Sequence, residues 1–279
     1  MFGKKGAVPD PKKFIGLLGK DDSWPSKAFR IIAKMDEEQR WELLQQTLSE
    51  LGPAQAGALV RMCFDAQPEK LCAKAGHPKD KYLAVEALGY LDRPEISKLL
   101  IGLMAHQDVH LQLAAAGALK NHDPERLIPL LLKAMLHEEV PASRAVEVLL
   151  AMGAQVTPRV LEVYPYALPA VKARFLELLS QTEGADILAE VRAALAAQHT
   201  ELNDRALDVA ARLEYRELWA EVAAYLERTK DWKSKIKALG VLECLAARES
   251  IPVAEKYLYD EDAWVQETAA KCIESIEGG

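Results

Sequence analysis

Through most of the chain apolar residues return every third or fourth position, in short stretches broken by Gly, Pro, Asp or Asn. That is the pattern of short amphipathic helices joined by tight turns. From Asp80 onward the pattern itself repeats. KYLAVEAL at 81, QLAAAGAL at 112, a looser SRAVEVLLAM at 143, KARFLELL at 172, RALDVAARL at 205, KIKALGVL at 235 and QETAAKCI at 266 recur with a mean spacing of about 31 residues, the length of one helix-turn-helix unit. Second apolar stretches over 94–105, 124–136, 158–167, 185–196, 214–226 and 251–259 alternate with them. Connections this short force each pair of helices antiparallel. Neither helix of a pair can bury its apolar face alone, so the units must stack.

Residues 108–136 form the clearest unit, with two helical patterns flanking an Asn-His-Asp-Pro turn. In the first helices the periodicity puts Ala84, Ala115, Phe175, Ala238 and Ala269 at the closest approach to neighbouring units, where small side chains allow tight packing. Before the regular region, Pro25, the N-cap candidate Asp36, the Gly52-Pro53 break, Pro68 and Gly76 mark shorter helices. The expected organisation is a basic tail with a short docking helix over 1–20, then one stack over 21–279. Within that stack, repeats are degenerate over 21–76 and regular over 80–259. A capping helix covers 262–276, its outer face polar through Gln266, Glu267, Lys271 and Glu274.

The unit Asp-x-x-x-Gln-x-x-Ala-x-x-Ala-Leu followed by Asp-Pro, seen at 108–124, resembles the HEAT repeat of the short bacterial type. The resemblance implies an all-α fold, a right-handed α-solenoid of stacked antiparallel helical hairpins. It also implies that second helices line a concave groove. On the outward positions of those helices stand Lys98, Arg126, Lys133 and Arg159, then Glu162, Glu190, Glu217, Glu221 and Glu255. The groove is therefore expected to turn from basic to acidic and to hold a protein or peptide segment, the chain acting as a non-catalytic scaffold or adaptor.

Composition agrees with helices: 50% of residues are hydrophobic, Ala and Leu dominate and only 6% are aromatic, so almost no strand is expected. The formal charge of −7 weighs against a nucleic-acid partner. Charge is unevenly spread. Residues 1–34 hold eight Lys or Arg against three Asp, and residues 177–229 hold eleven Asp or Glu against five Arg. Neither a signal peptide nor a membrane-spanning run is evident. The four cysteines, Cys63, Cys72, Cys244 and Cys272, sit within helical patterns and suit a reducing cytoplasm.

His106, His137 and His199 are spaced by multiples of 31 residues. Units packed about 10 Å apart hold such residues too far from one another to share a metal. They are expected instead to be turn residues capping the preceding helix. His137-Glu138 is a single His-Glu pair, whereas the HEAT-like deoxyhypusine hydroxylases use four such pairs to hold two irons. No catalytic residue, metal ligand or cofactor is predicted. Two other groups with HEAT-like repeats offer alternatives: the phycobilisome lyases, which handle a tetrapyrrole, and, more weakly, DNA glycosylases. The rings of Trp219, Trp232 and Trp264 are expected to pack in the core or along ridges.

Overall fold

The computed structural model describes residues 8–18 and 23–278. Residues 1–7 of the basic tail expected within 1–20, and the Asp21-Asp22 break, lie outside them. Among the described residues every regular element is helical, and the helices divide between two compact units, Met1–Val148 and Leu149–Gly279.

The first unit contains α1 (Pro11–Leu17), α2 (Trp24–Ile32), α3 (Glu37–Thr47), α4 (Pro53–Phe64), α5 (Pro68–Ala75), α6 (Lys81–Leu88), α7 (Pro94–Leu103), α8 (Val109–Leu119) and α9 (Pro124–Leu136). Local sequence explains their starts. Asp36 and Gln39 form a reciprocal capping box, with Gln39 N donating to Asp36 Oδ1 and Asp36 N donating to Gln39 Oε1, both at 3.0 Å. Pro occupies the first turn of α4, α5, α7 and α9, where its missing N–H has no helical partner to lose. Asp108 caps α8 by accepting from His110 N and Leu111 N at 3.0 and 3.3 Å.

First helix packs on first helix, α6 on α8, and second on second, α7 on α9, while α7 also closes against α8. Ala84, Ala115 and Leu119 are fully buried along the seam. Gly89 shows how close α6 and α8 come. A Cβ added there would meet Ala118 Cα at 2.7 Å and its carbonyl oxygen at 2.8 Å, so only glycine fits.

α10 (Ala142–Leu150) spans the boundary between the units. The second unit then holds α11 (Val156–Val163), α12 (Pro169–Ser180), α13 (Leu188–Ala196), α14 (Thr200–Arg212), α15 (Trp219–Arg228), α16 (Trp232–Leu245), α17 (Ile251–Glu255) and α18 (Ala263–Gly278). The first helices α12, α14, α16 and α18 pack in that order, each on the next, and α13 and α15 pack beside them. Phe175, Ala238 and Ala269 are fully buried. The polar residues expected on the last helix, Gln266, Glu267, Lys271 and Glu274, are exposed.

Second helices here depart from the periodicity for local reasons. α13 begins at Leu188 rather than 185, because Gly184 takes a φ of +73° and Asp186 accepts from Leu188 N at 3.3 Å. Residues 164–166 tighten into a 3-10 turn at Pro165, whose missing N–H cannot continue the helical hydrogen-bond ladder. Arg216–Leu218 is likewise a 3-10 turn, entered through Glu214 at a φ of +50°.

Charged side chains bridge the exposed faces of the first helices. Arg174 on α12 reaches Glu201 on α14 at 3.5 Å, and Arg205 reaches back to Glu177 at 3.5 Å. Lys237 on α16 meets Asp208 at 2.8 Å, and Lys271 on α18 meets Glu243 at 3.5 Å. In the first unit, Lys120 and Glu147 make the same kind of contact at 2.8 Å.

Candidate functional site

In the first unit the second helices α7 and α9 lie side by side, and a cleft of about 260 Å3 opens between them. Pro94, Ser97, Pro129 and Leu130 supply most of its wall, with Asp92, Glu125 and Arg126 at the rim. Pro129 lies inside α9 on its exposed side, so it presents an apolar ring to the cleft and withholds one backbone donor. Lys98, Arg126 and Lys133 are all exposed on these helices.

Their surroundings differ. Arg126 Nη2 lies 2.5 Å from Asp92 Oδ2, and its Nε lies 3.0 Å from Asp123 Oδ2. Its charge is answered within the protein. Among the described residues Lys98 and Lys133 have no such ion pair.

Beneath the rim sits a polar residue that periodicity did not single out. The His122 side chain is fully buried, with Nδ1 2.8 Å from Ser97 Oγ and 3.8 Å from Asp92 Oδ1. A catalytic relay needs the hydroxyl and the carboxylate on opposite ring nitrogens, and here both address the same one. Nε2 is buried without a hydrogen-bond partner among the described residues. Burial lowers the His122 pKa below its ordinary value, and the Asp92 carboxylate only partly offsets that. The trio therefore braces the turn before α9 against α7.

In the second unit, Arg159 and Glu162 are exposed and face each other at 3.4 Å, one turn apart on α11. Glu221 on α15 accepts from Arg192 on α13 at 2.5 Å, while its second oxygen is buried without a hydrogen-bond partner among the described residues. Glu190 is half-buried on α13, beside the buried Tyr164. Desolvation, and to a lesser degree the Glu190 charge, raises the Tyr164 pKa. Glu217 and Glu255 are exposed, without ion pairs among the described residues. The nine groove candidates thus divide, with Lys98, Arg126 and Lys133 in the first unit and the other six in the second.

The repeat histidines stand at turns, in differing ways. His106 Nδ1 accepts from Asp108 N at 3.0 Å, and His137 occupies the C-cap of α9. His199 departs from the expectation: it caps the helix that follows, accepting from Leu202 N at 3.4 Å at the start of α14. Glu138, beside His137, takes a left-handed φ of +55°. Among the described residues no three His, Cys, Asp or Glu side chains gather closely enough to hold a metal ion. Burial pushes the Cys63 thiol up to about 12 and the Cys272 thiol up to about 11, so neither is a ready nucleophile.

A second cleft, of about 430 Å3, lies where the turns before α14 and α16 meet, bordered by His199, Asn203, Tyr225, Arg228, Lys230 and Asp231. Its strongest polar groups serve the fold. Arg228 donates to the Leu195 and Ala197 carbonyls, and Asn203 Nδ2 lies 2.7 Å from the Ala194 carbonyl.

Helical hairpins in series, with second helices framing a cleft, set the context for comparison. A protein-family model described as HEAT repeats matches residues 65–151. The matched residues include α6 to α9, so the cleft between α7 and α9 lies wholly within the stretch that resembles HEAT repeats. No curated protein matches the chain. Among solved structures, human deoxyhypusine hydroxylase in complex with glycerol is similar at 15% identity and a TM-score of 0.37, covering 98% of this chain and 94% of its own. An engineered protein shares 16% identity at a TM-score of 0.39, with 99% and 92% covered. Another engineered protein shares 18% at 0.27, with 91% and 96% covered. No helix among the described residues is long and apolar enough to cross a membrane.

Proposed function

We propose that the chain is a non-catalytic cytoplasmic scaffold or adaptor, and that its HEAT repeats hold an extended or helical protein segment along the cleft between α7 and α9. One observation carries the proposal: an apolar, proline-walled cleft lies on second helices that also carry Lys98 and Lys133, whose charges no carboxylate among the described residues answers. Apolar burial in the cleft supplies affinity, and the two lysines orient an acidic segment and speed its arrival. Arg126 contributes shape to the rim, since Asp92 and Asp123 already neutralise it. Glu190, Glu217 and Glu255 give the second unit's returning helices the opposite preference, for basic groups, while Arg159 with Glu162, and Arg192 with Glu221, largely cancel.

The test is affinity capture from the native source, comparing the wild-type chain with Lys98→Glu/Lys133→Glu by quantitative mass spectrometry. Both lysines are exposed, so the variant keeps its thermal midpoint. It is expected to lose a discrete set of co-purifying proteins. Identical sets from both baits would refute the role given to the cleft.

A further inference from the structure

α16 and α18 are first helices of successive hairpins, separated by the single returning helix α17, so they run in the same direction and pack side by side. Their N-terminal ends therefore share one edge of the second unit. Three large aromatic side chains are exposed there: Trp232 at the start of α16 is 43% exposed, Tyr259 before α18 is 89%, and Trp264 in its first turn is 66%. Lys235, one turn into α16, bonds Asp260 Oδ2 at 2.6 Å and lies 5.6 Å from the Tyr257 ring. This contact holds the Tyr259-Asp260 turn against the first turn of α16. Neither tryptophan is in the core, one of the two placements expected for them. Single exposed apolar residues are ordinary, but aromatic rings grouped on one edge mark contact surfaces.

The charges around the rings specify the partner. From Tyr259 to Glu267 the chain carries Asp260, Glu261, Asp262 and Glu267, and no Lys or Arg. Asp260 is answered by Lys235. Asp262 Oδ1 accepts from Trp264 N and Val265 N at 2.9 and 3.3 Å, which caps α18 and offsets its positive end. Glu261 and Glu267 are both exposed, three positions either side of Trp264. Glu267 thus shares the Trp264 face of the helix. Trp232 carries its own cation, Lys233, 5.4 Å from its ring. Among the described residues no cation stands over Trp264.

We propose that Tyr259, Glu261, Trp264 and Glu267 form a second docking surface, for an arginine-bearing apolar segment of a partner protein. A guanidinium stacks on the Trp264 ring and pairs with the flanking carboxylates, using both its flat face and its edge donors. Apolar neighbours of the arginine cover Tyr259. A phosphate backbone is repelled by the same carboxylates. The surface lies at a hairpin edge and does not depend on the α7–α9 cleft.

Selection of a phage-displayed random peptide library on the full-length protein tests the assignment. Enriched peptides are expected to carry arginine beside apolar residues. Their binding, read by fluorescence polarisation of synthetic copies, should weaken about tenfold or more in Trp264→Ala and in Glu261→Lys/Glu267→Lys. Both substitutions fall on exposed positions and should leave the thermal midpoint in place. The same peptides should bind Lys98→Glu/Lys133→Glu as they bind the wild type, which separates this surface from the cleft. Failure to enrich arginine, or affinity unchanged in either edge variant, overturns the proposal. So does loss of binding only in the Lys98 and Lys133 variant.

Discussion

Arg126 on α9 reaches Asp92, thirty-four positions earlier in the chain, with 2.5 Å between Nη2 and Oδ2. The contact ties the turn before α7 to the first turn of α9. Because Arg126 is largely exposed, the pair adds only modestly to stability. Asp92→Ala and Arg126→Ala should each lower the urea midpoint slightly, and the double variant should fall little further than the worse single variant. Full additivity in that cycle would mean the two groups do not interact.

His122 makes stability depend on pH. Its folded pKa lies below the ordinary value of 6.5, so the unfolded chain binds the proton more readily. The contribution of the neutral ring is therefore complete above pH 6.5 and is lost as pH falls below it, down to the folded pKa. His122→Gln carries no such proton. The stability gap between wild type and His122→Gln, followed by urea denaturation from about pH 7.5 to about pH 5, should shift against the wild type as pH falls. A constant gap would show that the ring does not titrate differently on folding.

Two glycines on neighbouring helices should respond in opposite directions to the same substitution. Gly89→Ala forces a Cβ onto the Ala118 backbone, and overpacking of this kind costs about 1–3 kcal/mol. Gly117 on α8 has open space where its Cβ would lie, so Gly117→Ala should add about 0.5–1 kcal/mol through backbone entropy. Chemical denaturation of the two variants reads both signs.

Leu119 is fully buried where α8 meets its neighbours. Leu119→Asp forfeits about 1.5–3 kcal/mol of apolar transfer and adds an unpaired carboxylate to the core. The HEAT-repeat region should melt at a markedly lower temperature, seen by circular dichroism. An unchanged midpoint would contradict the packing of α8.

The hairpins were legible because their cause is local and repeated. Ala84, Ala115 and Ala238 recur with the period of the repeat, and Asp36, Asp108 and the leading prolines announce helix starts. Less legible were boundaries set by one unusual backbone angle, as at Gly184, where periodicity ran the helix three residues too early. Among the site candidates, exposure could be read from helical phase for Lys98 and Lys133. Neutralisation of Arg126 could not, since Asp92 is distant in sequence, and the same holds for Glu221 and Arg192. For the tryptophans the choice between core and ridge was left open for a different reason. In the first turn of a helix the phase of a side chain does not reveal whether a neighbouring element covers it, and among the described residues Trp264 is 66% exposed. His122 was hidden in a turn motif whose polar residues normally face water.

The bridges across α12, α14, α16 and α18 have a consequence apart from their strength, which is small for exposed pairs. Where alanine lines a seam, as Ala206, Ala238 and Ala269 do, a small side chain marks helix register only weakly, and charge can add to that mark. Arg174, Glu177, Arg205 and Asp208 act as marks on those seams: a slide of one turn, about 5.4 Å, separates the pairs that cross from helix to helix, Arg174 with Glu201, Arg205 with Glu177 and Lys237 with Asp208. Salt should therefore weaken this electrostatic check on register while the buried Phe175, Leu207 and Leu239 keep the hairpins packed.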